Sequence, residues 1–287
     1  MKRYAVPLIA ILLIGLVTGC LGENDGKTMP ETTRSVQSTA KTVETTPTGQ
    51  TSSQTTTTQT PEEPDPEELL KAVNTIRQFT YISNATLVMV VTIGGDNVSE
   101  TDNVTLNIIE KGYMDYESWS AWINSTTVSL PDGVKTNTSM IVVDNVTYIK
   151  TVVGWVKVED PETSEIVWRY SIVGLAREYL KEKPYSVEND GTLKLVYRVP
   201  EYRLRPLATV YFATSSETVV NVKDGRLELY FKDGQLVGGR LSFDVSSETE
   251  VNDPILGEMK ITQRGTWDET FEITSINERR KVEIPLT

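Results

Sequence analysis

The feature that most constrains the fold is an alternation of apolar and polar side chains that recurs along the chain between short turns. Leu87, Met89, Val91 and Ile93 alternate with Thr86, Val88, Val90 and Thr92, so even the second face is half apolar. Val104, Leu106 and Ile108 alternate with Asn103, Thr105 and Asn107, and Leu193, Leu195, Tyr197 and Val199 with Thr192, Lys194 and Arg198. A period of two puts each apolar set on one side of an extended strand. Gly94-Gly95-Asp96-Asn97, Pro131-Asp132-Gly133, Asp144-Asn145, Asn189-Asp190-Gly191, Lys223-Asp224-Gly225 and Asp233-Gly234 separate the runs. Such pairs tolerate the backbone angles of tight hairpins. The predicted structure is therefore an antiparallel sheet with one apolar face, an α+β chain that is mainly β.

Two helices interrupt the strands. Pro66-Glu67-Glu68 opens the first, with Leu69, Val73, Ile76 and Phe79 at helical spacing and acidic side chains in the first turn, where the helix dipole favours them. The second is predicted over residues 161–181, capped by Asp160 with Pro161 in its first turn. Its apolar stripe, from Ile166 to Leu180, covers more circumference than a surface helix normally buries. It is either core that caps the sheet or the roof of a cavity that an apolar ligand enters.

These patterns begin only near residue 66. From Thr28 to Pro66 roughly half the residues are Ser or Thr, five prolines are interspersed, and large apolar side chains are scarce; such a stretch cannot bury enough surface to order itself. Before it, Met1-Lys2-Arg3 and the apolar run Val6–Val17 read as a secretory signal. The run ends in Leu16-Val17-Thr18-Gly19-Cys20, which resembles the lipobox of exported lipoproteins. The expected organisation is a signal peptide at 1–19, a lipidated Cys20 and disordered stalk at 20–65, and one β domain at 66–287. A diacylglyceryl lipid, or in an archaeon its ether-lipid equivalent, would bring two hydrocarbon chains at ~0.8 kcal/mol per buried methylene, enough for a stable anchor. The expected location is the extracytoplasmic face of the cell membrane. As a flexible coil, about forty stalk residues reach ~35 Å.

Composition narrows the chemistry. The 287 residues contain no histidine, and Cys20 is the single cysteine. A Ser-His-Asp triad, a Cys-His pair and a histidine-ligated metal are therefore excluded. A net charge of −12 gives no basic surface for nucleic acid. No cofactor or metal site is expected, and an enzyme would have to work with carboxylates, Lys, Tyr or Ser alone. The expectation is a non-enzymatic protein. Asn84, Asn97, Asn103, Asn124, Asn137 and Asn145 each begin an Asn-x-Ser/Thr sequon, a candidate N-glycosylation set confined to the early hairpins.

The segment Leu227-Glu228-Leu229-Tyr230-Phe231-Lys232-Asp233-Gly234-Gln235-Leu236-Val237-Gly238-Gly239-Arg240-Leu241 and the close Phe271-Glu272-Ile273-Thr274-Ser275-Ile276-Asn277-Glu278 with Val282-Glu283-Ile284-Pro285 resemble the LolA/LppX-type lipoprotein and lipoprotein-carrier superfamily. The resemblance is one of pattern over roughly residues 66–287 and includes no catalytic motif. It implies a curved half-barrel sheet wrapped around one or two helices, with a concave cavity that binds a lipid or other hydrophobic ligand. The candidate lining residues are Leu87, Met89, Val91, Leu106, Ile108, Trp168, Ile172, Leu175 and Tyr179. The alternative is a structural or protein-interaction module of the cell envelope, with a protein partner that the sequence leaves unidentified.

Overall fold

The computed structural model describes residues 65–95, 99–151, 153–159, 161–212, 218–253 and 257–285. They form one eleven-stranded antiparallel sheet with helices against it, the mainly β architecture expected. The strands are β1 Gln78–Gly95, β2 Ser99–Asp115, β3 Ser120–Leu130, β4 Lys135–Val143, β5 Val146–Thr151, β6 Gly154–Val158, β7 Ser186–Asn189, β8 Leu193–Val199, β9 Val219–Lys232, β10 Gln235–Asp253 and β11 Gly257–Ile276. The helices are α1 Pro66–Asn74, α2 Pro161–Arg169, α3 Ile172–Tyr179 and α4 Glu201–Phe212.

The strand order is β6-β5-β4-β3-β2-β1-β11-β10-β9-β8-β7. Two meanders grow outward from the centre, where the first and last strands pair from Phe79↔Ile276 to Gly95↔Met259. Since β6 and β7 are the two outer edges, the α2–α3 segment that joins them has to cross the sheet. An antiparallel sheet with one apolar face needs a cover on that face, and the crossing helices supply it. The core runs from Leu69 and Val73 of α1 through Ile172, Val173 and Leu175 of α3 and Leu204 and Phe212 of α4 to Leu87, Leu227, Leu229, Leu241 and Phe243 of the sheet.

α1 starts where the sequence predicts, with the Asp65 side chain accepting from the Glu67 N–H at 2.9 Å. It stops at Asn74, so Phe79 belongs to β1 and not to the helix. The predicted helix over 161–181 is two helices. Ser171 is extended (φ −63°, ψ 150°) and caps α3 by accepting from Gly174 N at 3.0 Å. Gly174 permits the sharp joint, because a Cβ there would stand 2.8 Å from the Arg169 carbonyl oxygen. The break also accounts for the broad apolar stripe: the two short helices bury separate sets, Trp168 on α2 and Ile172, Val173, Leu175, Ala176 and Tyr179 on α3. The cap predicted at Asp160 lies outside the described residues.

Asp224-Gly225 is a second correction. It lies inside β9, where the register against β10 slips between Ser242 and Asp244, so it forms a bulge and not a hairpin. Asp224 takes φ 51°. Bulges bend a strand and raise its twist, and α4 rests against this bend: a Cβ on Gly225 would lie 2.6 Å from Leu204 Cδ1. α4 is a further helix beyond the two predicted, and it carries Pro206 within it.

Candidate functional site

Register places the concave face of the sheet centre residue by residue. Ser83 of β1 pairs with Glu110 on one side and Phe271 on the other; Ala85 pairs with Ile108 and Glu269; Leu87 pairs with Leu106 and Trp267. Two glutamates, Glu110 and Glu269, therefore stand on a face that is otherwise largely apolar. Tyr81 pairs with Gly112, and its ring lies over that glycine: a Cβ on Gly112 would fall 2.5 Å from the ring Cζ and 2.6 Å from Oη. From there the Tyr81 hydroxyl reaches the diagonal neighbour and donates to Glu110 Oε1 at 2.6 Å, as an aromatic side chain can across adjacent strands. Tyr211 of α4 closes the group, its ring 4.3 Å from that of Trp267.

The electrostatics follow from this enclosure. Burial pushes the Glu269 carboxyl up to about 8, and the charge of Glu110 adds to it, against donors on Ser83 and Trp267. Burial raises Glu110 as well, opposed by the Tyr81 hydroxyl. Burial is also the first cause of the upward shifts of Tyr81 and Tyr211, with both glutamates contributing to each. Among the described residues, no Lys or Arg is in the set of groups that shift the two carboxyls. A low-dielectric setting without a cation favours the neutral acid, so Glu269 is mostly protonated at neutral pH. Both glutamates nonetheless keep partial solvent exposure, which means that the concavity opens to water at this point. Trp267 is 2% exposed; its indole N–H leans toward Glu269 but makes no hydrogen bond of proper length and angle. A buried donor without an acceptor costs ~1–3 kcal/mol. The cluster thus offers two carboxyl groups raised by burial, a phenol and an indole N–H inside an apolar concavity.

The predicted lining residues occupy one continuous region. Leu87, Met89, Leu106, Trp168, Ile172, Leu175 and Tyr179 are buried members of the main core, and Val91 and Ile108 pack against it half-buried. Two surface hollows of about 560 and 430 Å³ sit elsewhere, one around Arg77, Gln78, Glu117 and Asn277, the other around Leu69, Leu193 and Phe231; neither includes any of the nine. Glu110, Glu269, Tyr81, Tyr211 and Trp267 are the site residues the sequence reading missed. Its signal was present: Glu110 interrupts the register of Leu106 and Ile108, and Glu269 sits between Trp267 and Phe271.

Among the sequons, Asn84, Asn103, Asn124, Asn137 and Asn145 are all exposed. Cys20 and Asn97 lie outside the described residues. Among the described residues no group of three or more acidic, His or Cys side chains could hold a metal, and no helix is long and apolar enough to cross a membrane.

No protein-family model and no curated protein matches the chain. Among solved structures, the chain is similar to LprF from Mycobacterium bovis at 12% identity and a TM-score of 0.38, over 79% of this chain and 100% of that one. It is also similar to a β-barrel-like DUF1849 protein from Brucella abortus, at 12% identity, TM-score 0.23 and coverage of 70% and 100%. A DUF1329 family protein from Desulfovibrio piger gives 11%, 0.22, 73% and 91%. At such scores the likeness carries nothing about what this chain binds, and the reading of the site rests on its own residues.

Proposed function

We propose that this chain is a membrane-anchored lipoprotein of the LolA/LppX type that holds an amphipathic, mainly hydrophobic ligand in the concavity of its half-barrel. The observation that carries the reading is the polar cluster of Glu110, Glu269 and Tyr81 within a largely apolar concave face, still open to water. A ligand whose body is apolar and whose end carries hydroxyl, amide or amine donors suits it. The body would rest against the half-buried Ile108 and Tyr211, and its donors would meet the carboxyl oxygens. Such sites combine an apolar surface with a few convergent polar groups. Tethering at Cys20 would keep the concavity within reach of the membrane, from which a ligand of this kind would come.

The reading is one of binding rather than bond-making. Paired carboxyls can serve acid–base chemistry when their environments push them apart, one neutral and one ionised. Here both are raised together, which suits hydrogen bonding to a bound molecule. The test is native mass spectrometry of a secreted form lacking the anchor, purified without detergent, followed by exposure to vesicles made of the producing cell's lipids. A co-purified or captured hydrophobic molecule is expected, with retention reduced about tenfold in Glu269→Leu, which removes both carboxyl oxygens, on the basis of a hydrogen bond of ~1–2 kcal/mol. A ligand-free domain that takes up nothing from the vesicles would refute the proposal.

A further inference from the structure

The sequons form a pattern that only the register reveals. Asn84 of β1 pairs with Ile109 of β2, Ile109 with Thr126 of β3, and Thr126 with Asn137 of β4. Asn103 of β2 pairs with Val90 of β1, and Asn124 of β3 with Lys111 of β2. By the two-residue alternation all four asparagines point away from the concave face that carries Ser83, Glu110 and Leu106. Because the strands are extended, the hydroxyl residue two positions on, Thr86, Thr105, Thr126 or Ser139, shares the outward side with its asparagine. At Asn137 the carboxamide oxygen accepts from Thr126 Oγ1 at 2.8 Å, which turns Nδ2 the other way.

The same face carries three exposed aliphatic side chains. Ile109 is 49% exposed, Val88 46% and Val90 40%. Two of these three are direct cross-strand partners of sequon asparagines, Ile109 of Asn84 and Val90 of Asn103, with side chains ~5 Å apart. The other half of the outer face also shows an aliphatic side chain, Val219 of β9 at 60% exposure opposite Glu248, but differs in two respects. It has no sequon and is set with ion pairs, Arg240 with Asp268 and Arg226 with Glu228.

We infer that the outer face of β1–β4 is a glycan-bearing surface, modified at Asn84, Asn103, Asn124 and Asn137, whose sugars lie over the exposed Val88, Val90 and Ile109. The donor class is an oligosaccharide linked through phosphate to a lipid. The Asn Nδ2 forms a bond to the sugar anomeric carbon, the bond from that carbon to the phosphate oxygen breaks, the lipid phosphate leaves with the electron pair, and Nδ2 loses one proton. The apolar faces of the sugar rings would cover the three aliphatic side chains, and the hydroxyls would face water. The inference is independent of the ligand reading, since it concerns the opposite side of the sheet.

The test is peptide mass spectrometry of the full chain purified from the cells that make it, before and after chemical deglycosylation. Sugar mass on peptides containing Asn84, Asn103, Asn124 and Asn137 is expected. Unmodified asparagine at these four positions would overturn the inference, and so would sugar confined to Asn97 or Asn145. As a second readout, the double variant Asn84→Gln with Asn103→Gln should bind a hydrophobic dye several-fold more strongly than the parent chain while keeping its circular dichroism. Equal dye binding would show that sugars do not cover the apolar stripe.

Discussion

Replacing Gly112 by alanine tests whether Tyr81 is held over β2 as the structure shows. The added Cβ would meet the Tyr81 ring at 2.5 Å from Cζ and 2.6 Å from Oη, well inside contact distance, and Tyr81 is only 7% exposed, so the ring has little room to yield. If it swings away it gives up the 2.6 Å bond to Glu110, at a cost of ~1–3 kcal/mol for a buried polar pair. If it stays, overpacking strain costs ~1–3 kcal/mol. Removing a strand glycine returns ~0.5–1 kcal/mol of backbone entropy. The net expectation is a destabilisation of ~1–2 kcal/mol, read as a lower urea midpoint at unchanged slope, or as a fall in Tm of ~2–4 °C per kcal/mol. The decisive measurement is the double-mutant cycle. In a Tyr81→Ala background the same Gly112→Ala change should cost nothing, or stabilise by ~0.5–1 kcal/mol. Equal costs in the two backgrounds would refute the packing argument.

Glu269 predicts an unusual pH dependence. Its folded pKa is raised from 4.5 to about 8, so the native state binds more protons than the unfolded chain between those values. Stability should be fully present below the unfolded pKa and be lost as pH rises through about 8, the reverse of a salt-bridged carboxylate. At ~1.4 kcal/mol per unit the loss is a few kcal/mol, less whatever the partial exposure of the site screens. Glu269→Gln should flatten the profile, with Glu110, Tyr81 and Tyr211 left as the titrating groups that face it; urea midpoints of the two proteins that fall in parallel with pH would contradict the assignment. Cys20→Ser should release the protein from membranes or leave an uncleaved precursor, and unchanged mature size with unchanged membrane retention, judged by fractionation and intact mass, would disprove lipidation.

Much of the fold was legible because its determinants are local. Alternation, Asp-Gly at 233–234 with φ 50° and 76°, and Asp65 at a helix start each depend on neighbours within a few residues. What failed did so where a distant element decided. Asp224-Gly225 has the chemistry of a hairpin, but α4 packs on it and the strand runs through as a bulge. Residues 161–181 read as one helix by pattern, but the extended Ser171, with Gly174 allowing the close approach, breaks it in two.

The sequence by itself determined the strands, their apolar face, the absence of histidine chemistry and the place of the single cysteine, since all of these are properties of residue type and near spacing. The tertiary structure decided what no spacing contains. Pairing of β1 with both β2 and β11 brings Glu110 within reach of Glu269, 159 positions away in the chain, and raises both carboxyls by enclosing them. The same register aligns four sequons on one outward face. Which side chains meet across a sheet is fixed by strand order, and strand order follows from how the whole chain buries its apolar face.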